Sequence, residues 1–349
     1  MLIDKIYGKY KIVSIVGMAK NSGKTVTLNH LINEARNLGL NIGILSTGRD
    51  GEQLDLVTET EKPKIYVEEG SLVATSSYLL HLSTATVEIL EVTGYRTPLG
   101  NILIGRVKVS GYIQVSGPQG AKDIRDTSNR LLELGADMVI IDGAIDRKSS
   151  AAPSISQATI LSTGAVVSRD MERVIEETAH LANLFKLPAI EDTGERKIIE
   201  DLISKGQVAI VDRDLGVKVL NVKSALTGGS IIGENIRDDS KYIIIPGSLI
   251  NKTLLDIMER TDKYKNVDIV ISDGTKVFIG PGDWIRHQRR GVSVKVLNPI
   301  NLVAITLNPY APQGYHFDPE DFLTRMRHFI RDIPVLDLML GGVLNGIYG

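Results

Sequence analysis

The chain has no cysteine in its 349 residues. That excludes disulfides, thiolate metal sites and thiol nucleophiles together, and it suits a reducing cytosol. No run of about eighteen apolar residues occurs, and the opening Met-Leu-Ile-Asp-Lys-Ile-Tyr lacks the apolar segment of a signal peptide, so a cytoplasmic protein without a membrane span is expected. Charge of one sign is also missing. Forty Lys and Arg against 42 Asp and Glu leave a net charge of −2, which gives no electrostatic footing for nucleic acid. His30, His81, His180, His287, His316 and His328 show no metal-ligand spacing. There is no internal repeat, no low-complexity run and no long charged block.

What is present is an ordinary globular composition, 43% hydrophobic and 23% charged, in a chain long enough for two domains. One segment stands out: Gly17-Met18-Ala19-Lys20-Asn21-Ser22-Gly23-Lys24-Thr25. It follows the apolar run Lys11-Ile12-Val13-Ser14-Ile15-Val16 and precedes Val26, Leu28, Leu31, Ile32, Ala35 and Leu38, which recur at helical spacing before Gly39. Strand, glycine-bearing turn ending in Gly-Lys-Thr, then helix is the order of a phosphate-binding loop. A helix opening at Lys24 has unpaired N–H groups and a partial positive charge at its first turn. Gly23 lets the backbone curl enough to aim those donors at an anion. On this reading Lys20, Asn21, Ser22, Gly23, Lys24 and Thr25 bind the nucleotide, Lys24 neutralises the β- and γ-phosphates, and the Thr25 hydroxyl ligates Mg²⁺. The spacing is one residue longer than the usual pattern, with five residues between Gly17 and Gly23.

Asn41 to Thr47 reads as a second buried strand, making residues 11 to 47 a βαβ unit. Between 50 and 116 the pattern is irregular. Thr86 to Val92, Asn101 to Val109 and Tyr112 to Ser116 alternate like strands, so an insertion or an antiparallel edge is expected there. The βα rhythm resumes with a helix over 123–134, buried strands over 137–142 and 158–162, and a helix over 171–185. Pro188 to Arg196 marks the expected domain boundary. Beyond it, strands are expected at 208–211, 217–222, 242–245 and 267–272, with helices over 248–261 and 318–330. The expected fold is therefore α/β. A mostly parallel sheet flanked by helices occupies 1–190, and a second, smaller α/β domain for partner or substrate binding occupies 191–349.

Asp142 ends a buried strand, where a carboxylate can hold Mg²⁺ opposite the loop threonine or simply cap a turn. Thr47-Gly48-Arg49-Asp50-Gly51-Glu52 ends another, so Asp50 is a candidate for Mg²⁺ or for positioning a water and Arg49 for a phosphate, or the two glycines make it a purely structural turn. The catalytic candidates are Lys24, Asp50 and Asp142, and the metal candidates Thr25, Asp50 and Asp142. Ser116-Gly117-Pro118-Gln119-Gly120 and Thr163-Gly164 are either pocket lining or turns. Asp146 to Ser150 is a grip for a second substrate or a partner, or a solvated loop. Trp284-Ile285-Arg286-His287-Gln288-Arg289-Arg290 sets three arginines beside the only tryptophan, a candidate anion or protein surface or a solvated helix face. Asn251-Lys252-Thr253-Leu254 lacks the Asp of a guanine-reading motif, which leaves ATP as the default nucleotide over GTP.

The expanded loop, the Asp142 strand and the Asp50 turn together resemble the dethiobiotin-synthetase-like class of phosphate-loop proteins, and the inner run Lys20 to Thr25 resembles the loop of molybdopterin-guanine-dinucleotide accessory ATPases. More narrowly, Val16 to Thr25, Ser46 to Gly51, Ile141 to Ala144 and Leu307-Asn308-Pro309 through Gly314-Tyr315 look like the reactivase ATPase subunit of adenosylcobalamin-dependent lysine 5,6-aminomutase. That resemblance implies a chaperone-like ATPase that releases damaged cobalamin from an aminomutase, working with a second ATPase subunit or as a homo-oligomer. Where dethiobiotin synthetase has Glu-Gly-Ala-Gly-Gly this chain has Asp142-Gly143-Ala144-Ile145-Asp146, which weakens the alternative of an ATP-dependent synthetase acting on a small carboxylate. A nucleotide-binding scaffold that does not hydrolyse is the third reading.

Overall fold

A computed structural model of the chain describes residues 1–47, 65–143 and 151–338. The fold divides into two compact units, one of Met1–Thr178 with Asn301–Gly349 and the other of Ala179–Ile300. In chain order the first unit contains β1 (Ile12–Gly17), α1 (Lys24–Asn37), β2 (Ile42–Ser46), β3 (Ile65–Val67), β4 (Leu72–Ser76) and α2 (Ser77–His81). β5 (Thr86–Thr97), β6 (Gly100–Val109), β7 (Gly111–Ile113), α3 (Ala121–Glu133), β8 (Met138–Asp142) and β9 (Ala158–Gly164) follow, and the division between the units falls within α4 (Met171–Phe185). The second unit holds α5 (Thr193–Ser204), β10 (Ala209–Asp212), β11 (Val217–Val219), α6 (Ala225–Asn235), β12 (Ser240–Ile244) and β13 (Leu249–Ile250). It continues with α7 (Asn251–Arg260), β14 (Asp268–Ile271), β15 (Val277–Phe278), α8 (Pro281–Arg289) and β16 (Ser293–Val296). The chain then returns to the first unit as β17 (Leu302–Asn308), α9 (Pro319–Phe329) and β18 (Val335–Asp337).

Nine strands of the first unit form one sheet in the order β18-β17-β9-β1-β8-β2-β4-β6-β5. Every pair from β18 to β4 is parallel, and β6 and β5 add an antiparallel edge. Alternate residues of the central strands point to opposite faces, and both faces are covered, so the strands read as unbroken apolar runs. Val13, Ile15, Ile44 and Ile140 pack with Leu28 and Leu31 of α1. Ile12, Leu45, Val139 and Ile141 pack with Ile124 and Leu131 of α3. Gly43 sits where a side chain would press on Val139 and Leu131, which lets α3 lie close to β2.

The second unit repeats the plan on a smaller scale, with a five-stranded sheet β11-β10-β12-β14-β16 in which β12, β14 and β16 run parallel. One face packs Ile243, Ile271 and Val296 with Ile232, Leu254 and Trp284. The other packs Tyr242, Ile244 and Val270 with Ile199 and Leu202 of α5.

The chain is thus α/β with a large, mostly parallel sheet flanked by helices. Its partition differs from the expected 1–190 and 191–349 division, because β17 and β18 pair parallel beside β9 after the second unit ends. The irregular stretch between 65 and 109 supplies the antiparallel edge through β5 and β6, and one further parallel strand, β4, that the sequence reading does not contain. Residues 112–116 do not join the main sheet; β7 pairs with β3 instead. Among the described residues, no helix is long and apolar enough to cross a membrane.

Candidate functional site

β1 lies between β8 and β9, and successive strands leave it in opposite directions: β9 leads to β17 and β18, whereas β8 adjoins β2 and β4. This reversal makes the carboxyl ends of these strands a topological switch point, where open α/β sheets place their ligands. Gly17 ends β1, opposite Ser162 of β9, and the Met18 N–H donates to the Ser162 carbonyl at 2.9 Å. From there the chain curls back on itself. A Cβ on Gly17 would lie 2.5 Å from Ser22 Oγ and 3.1 Å from Lys24 Cδ, so only glycine admits the return of the loop and the Lys24 stem. Asn21 has φ 61° and Gly23 φ 96°, both left-handed. α1 then opens at Lys24 with no side-chain cap at Gly23 for its first N–H groups.

Ser22 is fully buried, and its hydroxyl has no hydrogen-bond partner among the described residues. A buried hydroxyl without a partner is costly unless something supplies one. Lys20, Lys24 and Thr25 are half-buried around it. Beneath the loop three hydroxyls close a triangle: Thr27 Oγ1 to Thr306 Oγ1 at 2.8 Å, Ser162 Oγ to Thr306 Oγ1 at 2.8 Å, and Thr27 Oγ1 to Ser162 Oγ at 3.2 Å. Thr27 also bonds the Gly23 carbonyl through its amide and its hydroxyl, so the start of α1 is tied to β9 and β17.

Asp142 ends β8, in register with Ile15 of β1 and Ser46 of β2. Its carbonyl receives the Thr47 N–H at 3.0 Å and the Ser46 hydroxyl at 3.1 Å, while the Gly143 N–H donates to the Ile15 carbonyl. The backbone is thereby occupied and the half-buried carboxylate sits on the same rim as the loop. Gly117 packs where a Cβ would lie 2.0 Å from the Ser46 carbonyl, so the segment after β7 closes over the end of β2. The fold brings the 17–25 loop, Asp142, Ser46-Thr47 and Ser116-Gly117 to one edge. Asp50, with Gly48, Arg49, Gly51 and Glu52, lies outside the described residues, as do Asp146 to Ser150.

Two candidates have structural roles. Thr163 is fully buried and bonds Thr178 Oγ1 at 2.9 Å, which joins β9 to α4. Trp284 and His287 of the arginine-rich segment point into the second unit's core, and Arg286 pairs with Asp283 of its own helix. Sequence reasoning about the loop did not reach Asn308, at the end of β17, whose amide Nδ2 donates to the Asn21 carbonyl at 3.0 Å. The sequence marks Asn308 only as an Asn-Pro closing an apolar run and as part of the Leu307-Asn308-Pro309 resemblance, neither of which points to the loop. Comparison with models of protein families gives no match to this chain, and comparison with curated proteins gives none either.

Proposed function

We propose that the chain binds Mg·ATP at the 17–25 loop and hydrolyses it. The observation that carries the reading is the curl over Gly17, which buries a Ser22 hydroxyl that has no hydrogen-bond partner among the described residues just before a helix start with no side-chain cap at Gly23. Oriented N–H groups, a hydroxyl donor and a lysine are the chemistry that a polyphosphate requires. In this reading Lys24 lies along the phosphates. The Thr25 hydroxyl and the Asp142 carboxylate would hold Mg²⁺, with Asp50 as the further carboxylate that the sequence suggests. When bound, Mg²⁺ supplies charge neutralisation at the phosphate oxygens. The chain's own part is to position the triphosphate, to shield it on the helix side and to keep the ammonium of Lys24 beside it.

The resemblance of the loop and of the 46–51 and 141–144 runs extends the proposal to a factor that spends hydrolysis on a partner. That partner is a cobalamin-dependent aminomutase whose damaged cofactor must leave. Release of the γ-phosphate would then change partner affinity, as in other nucleotide switches. Calorimetric titration with ATP and GTP, each with and without Mg²⁺, tests the first step. Mg²⁺-dependent ATP binding is expected, and binding of neither nucleotide overturns it. Turnover raised by added aminomutase tests the second; turnover unchanged by the partner refutes it.

A further inference from the structure

The loop contains a non-glycine residue in the left-handed region, and one side chain from far along the sequence hydrogen-bonds to it. Asn21 is a non-glycine residue at φ 61°, where a side chain crowds the backbone. Its carbonyl receives the Asn308 Nδ2 proton at 3.0 Å, from a residue 287 positions later. The orientation of that amide is determined by its other end, because Asn308 Oδ1 accepts the Tyr310 N–H at 3.2 Å and leaves the NH₂ group facing the loop. Asn308 also fits beneath Gly23: a Cβ there would lie 3.1 Å from Asn308 Cβ, so the left-handed glycine and the asparagine are matched surfaces. Gly164 in turn lets the Asn308 carbonyl approach, since a Cβ on Gly164 would stand 2.1 Å from it.

We infer that Asn308 is a positioning residue that clamps the 17–25 loop in its anion-accepting shape from the end of β17. This rests on the phosphate-loop reading of the site. Because β17 is the strand by which the chain returns from the second unit, the loop is completed only when residues after 300 are in place. Asn308→Ala keeps the Cβ that supports Gly23 and removes only the amide. Asn21→Gly lowers the cost of the left-handed turn that the amide restrains.

The test titrates Mg·ATP into the full chain as wild type, Asn308→Ala and the double variant Asn308→Ala/Asn21→Gly. It also follows hydrogen exchange of amides 18–27 without nucleotide. Asn308→Ala is expected to weaken binding about tenfold, as for one lost hydrogen bond of ordinary worth, and the double variant to recover about threefold. Loop amides in Asn308→Ala are expected to exchange about tenfold faster. Affinity within twofold of wild type, or unchanged loop exchange, overturns the clamp. A loss that Asn21→Gly leaves unrecovered also overturns it and makes Asn308 a direct ligand contact. Faster loop exchange in a chain that binds no nucleotide upholds the clamp and refutes the phosphate-loop reading alone.

Discussion

The two units share a plan, a parallel sheet core flanked by helices, and the carboxyl rims of their parallel strands make an instructive contrast. In the first unit β1 runs into α1 through a tight curl over Gly17. Ser22 Oγ is buried and unbonded among the described residues, and α1 begins at an uncapped glycine. In the second unit the turn after β14 is closed on itself. The Asp273 carboxylate receives the Thr275 N–H at 2.9 Å, the Thr275 hydroxyl at 2.5 Å and the Ser272 hydroxyl at 3.1 Å. Gly274 lies against the Leu184 carbonyl, where a Cβ would stand 2.1 Å away. Strand ends in an open sheet gather binding sites in general. Here the turn at Asp273 has its polar groups bonded to one another, and the curl at Ser22 has one buried hydroxyl with no bond among the described residues. That one buried hydroxyl, more than the architecture, singles out the first rim as the candidate site.

Breaking the open rim should have the largest effect. Lys24→Ala is expected to lower Mg·ATP affinity about a hundredfold or more, because it removes the charge from a desolvated phosphate contact, while circular dichroism stays unchanged. Asp142→Asn should cost about tenfold with Mg²⁺ present and little without it. Equal losses in both titrations would make Asp142 a turn residue. Breaking the closed rim should do the reverse. Asp273→Ala is expected to destabilise the second unit by about 1–2 kcal/mol in denaturant unfolding, as a helix-start cap with a buried network does, and to leave ATP affinity unchanged.

A smaller effect is expected from pH. Burial holds His287 below its ordinary pKa; Asp283 opposes this, and Arg290 and Arg286 add to it. Its Nε2 gives its proton to Asn251 Oδ1 at 2.5 Å, joining α8 to α7. The folded pKa is below the unfolded one, so the unfolded chain takes up the proton first. Stability should therefore fall as pH drops below about 6.5, and His287→Gln should flatten that slope in urea melts at pH 5 to 8.

Local signals carried the start of the fold and failed where pairing is long-range. β1, α1 and β2 were legible because a strand buried on both faces is continuously apolar and Gly-Lys-Thr can open a helix at once. The Pro188 to Arg196 stretch read as a boundary, yet its polar cluster is a helix start: Asp192 caps α5 by accepting the Gly194 and Glu195 amides. The unit change comes earlier, within α4, where an unbroken helical pattern gives no sign of it. β4 and β18 are short, and β17 belongs to the first sheet only through its register with β9, which no local period encodes. The same holds for the site. Lys24, Thr25 and Asp142 announce themselves by motif or strand end, whereas Thr306 and Asn308 act across the sheet on a loop from the other end of the chain.

The measurement that bears most directly on the account follows backbone amide resonances of the full chain during titration with Mg·ATP. Shifts concentrated in residues 17 to 27, with Ser22 to Thr25 largest and the turn around Asp273 unmoved, are what the open rim predicts. Saturable binding that shifts the Asp273 turn and leaves the 17–25 loop unchanged would contradict it.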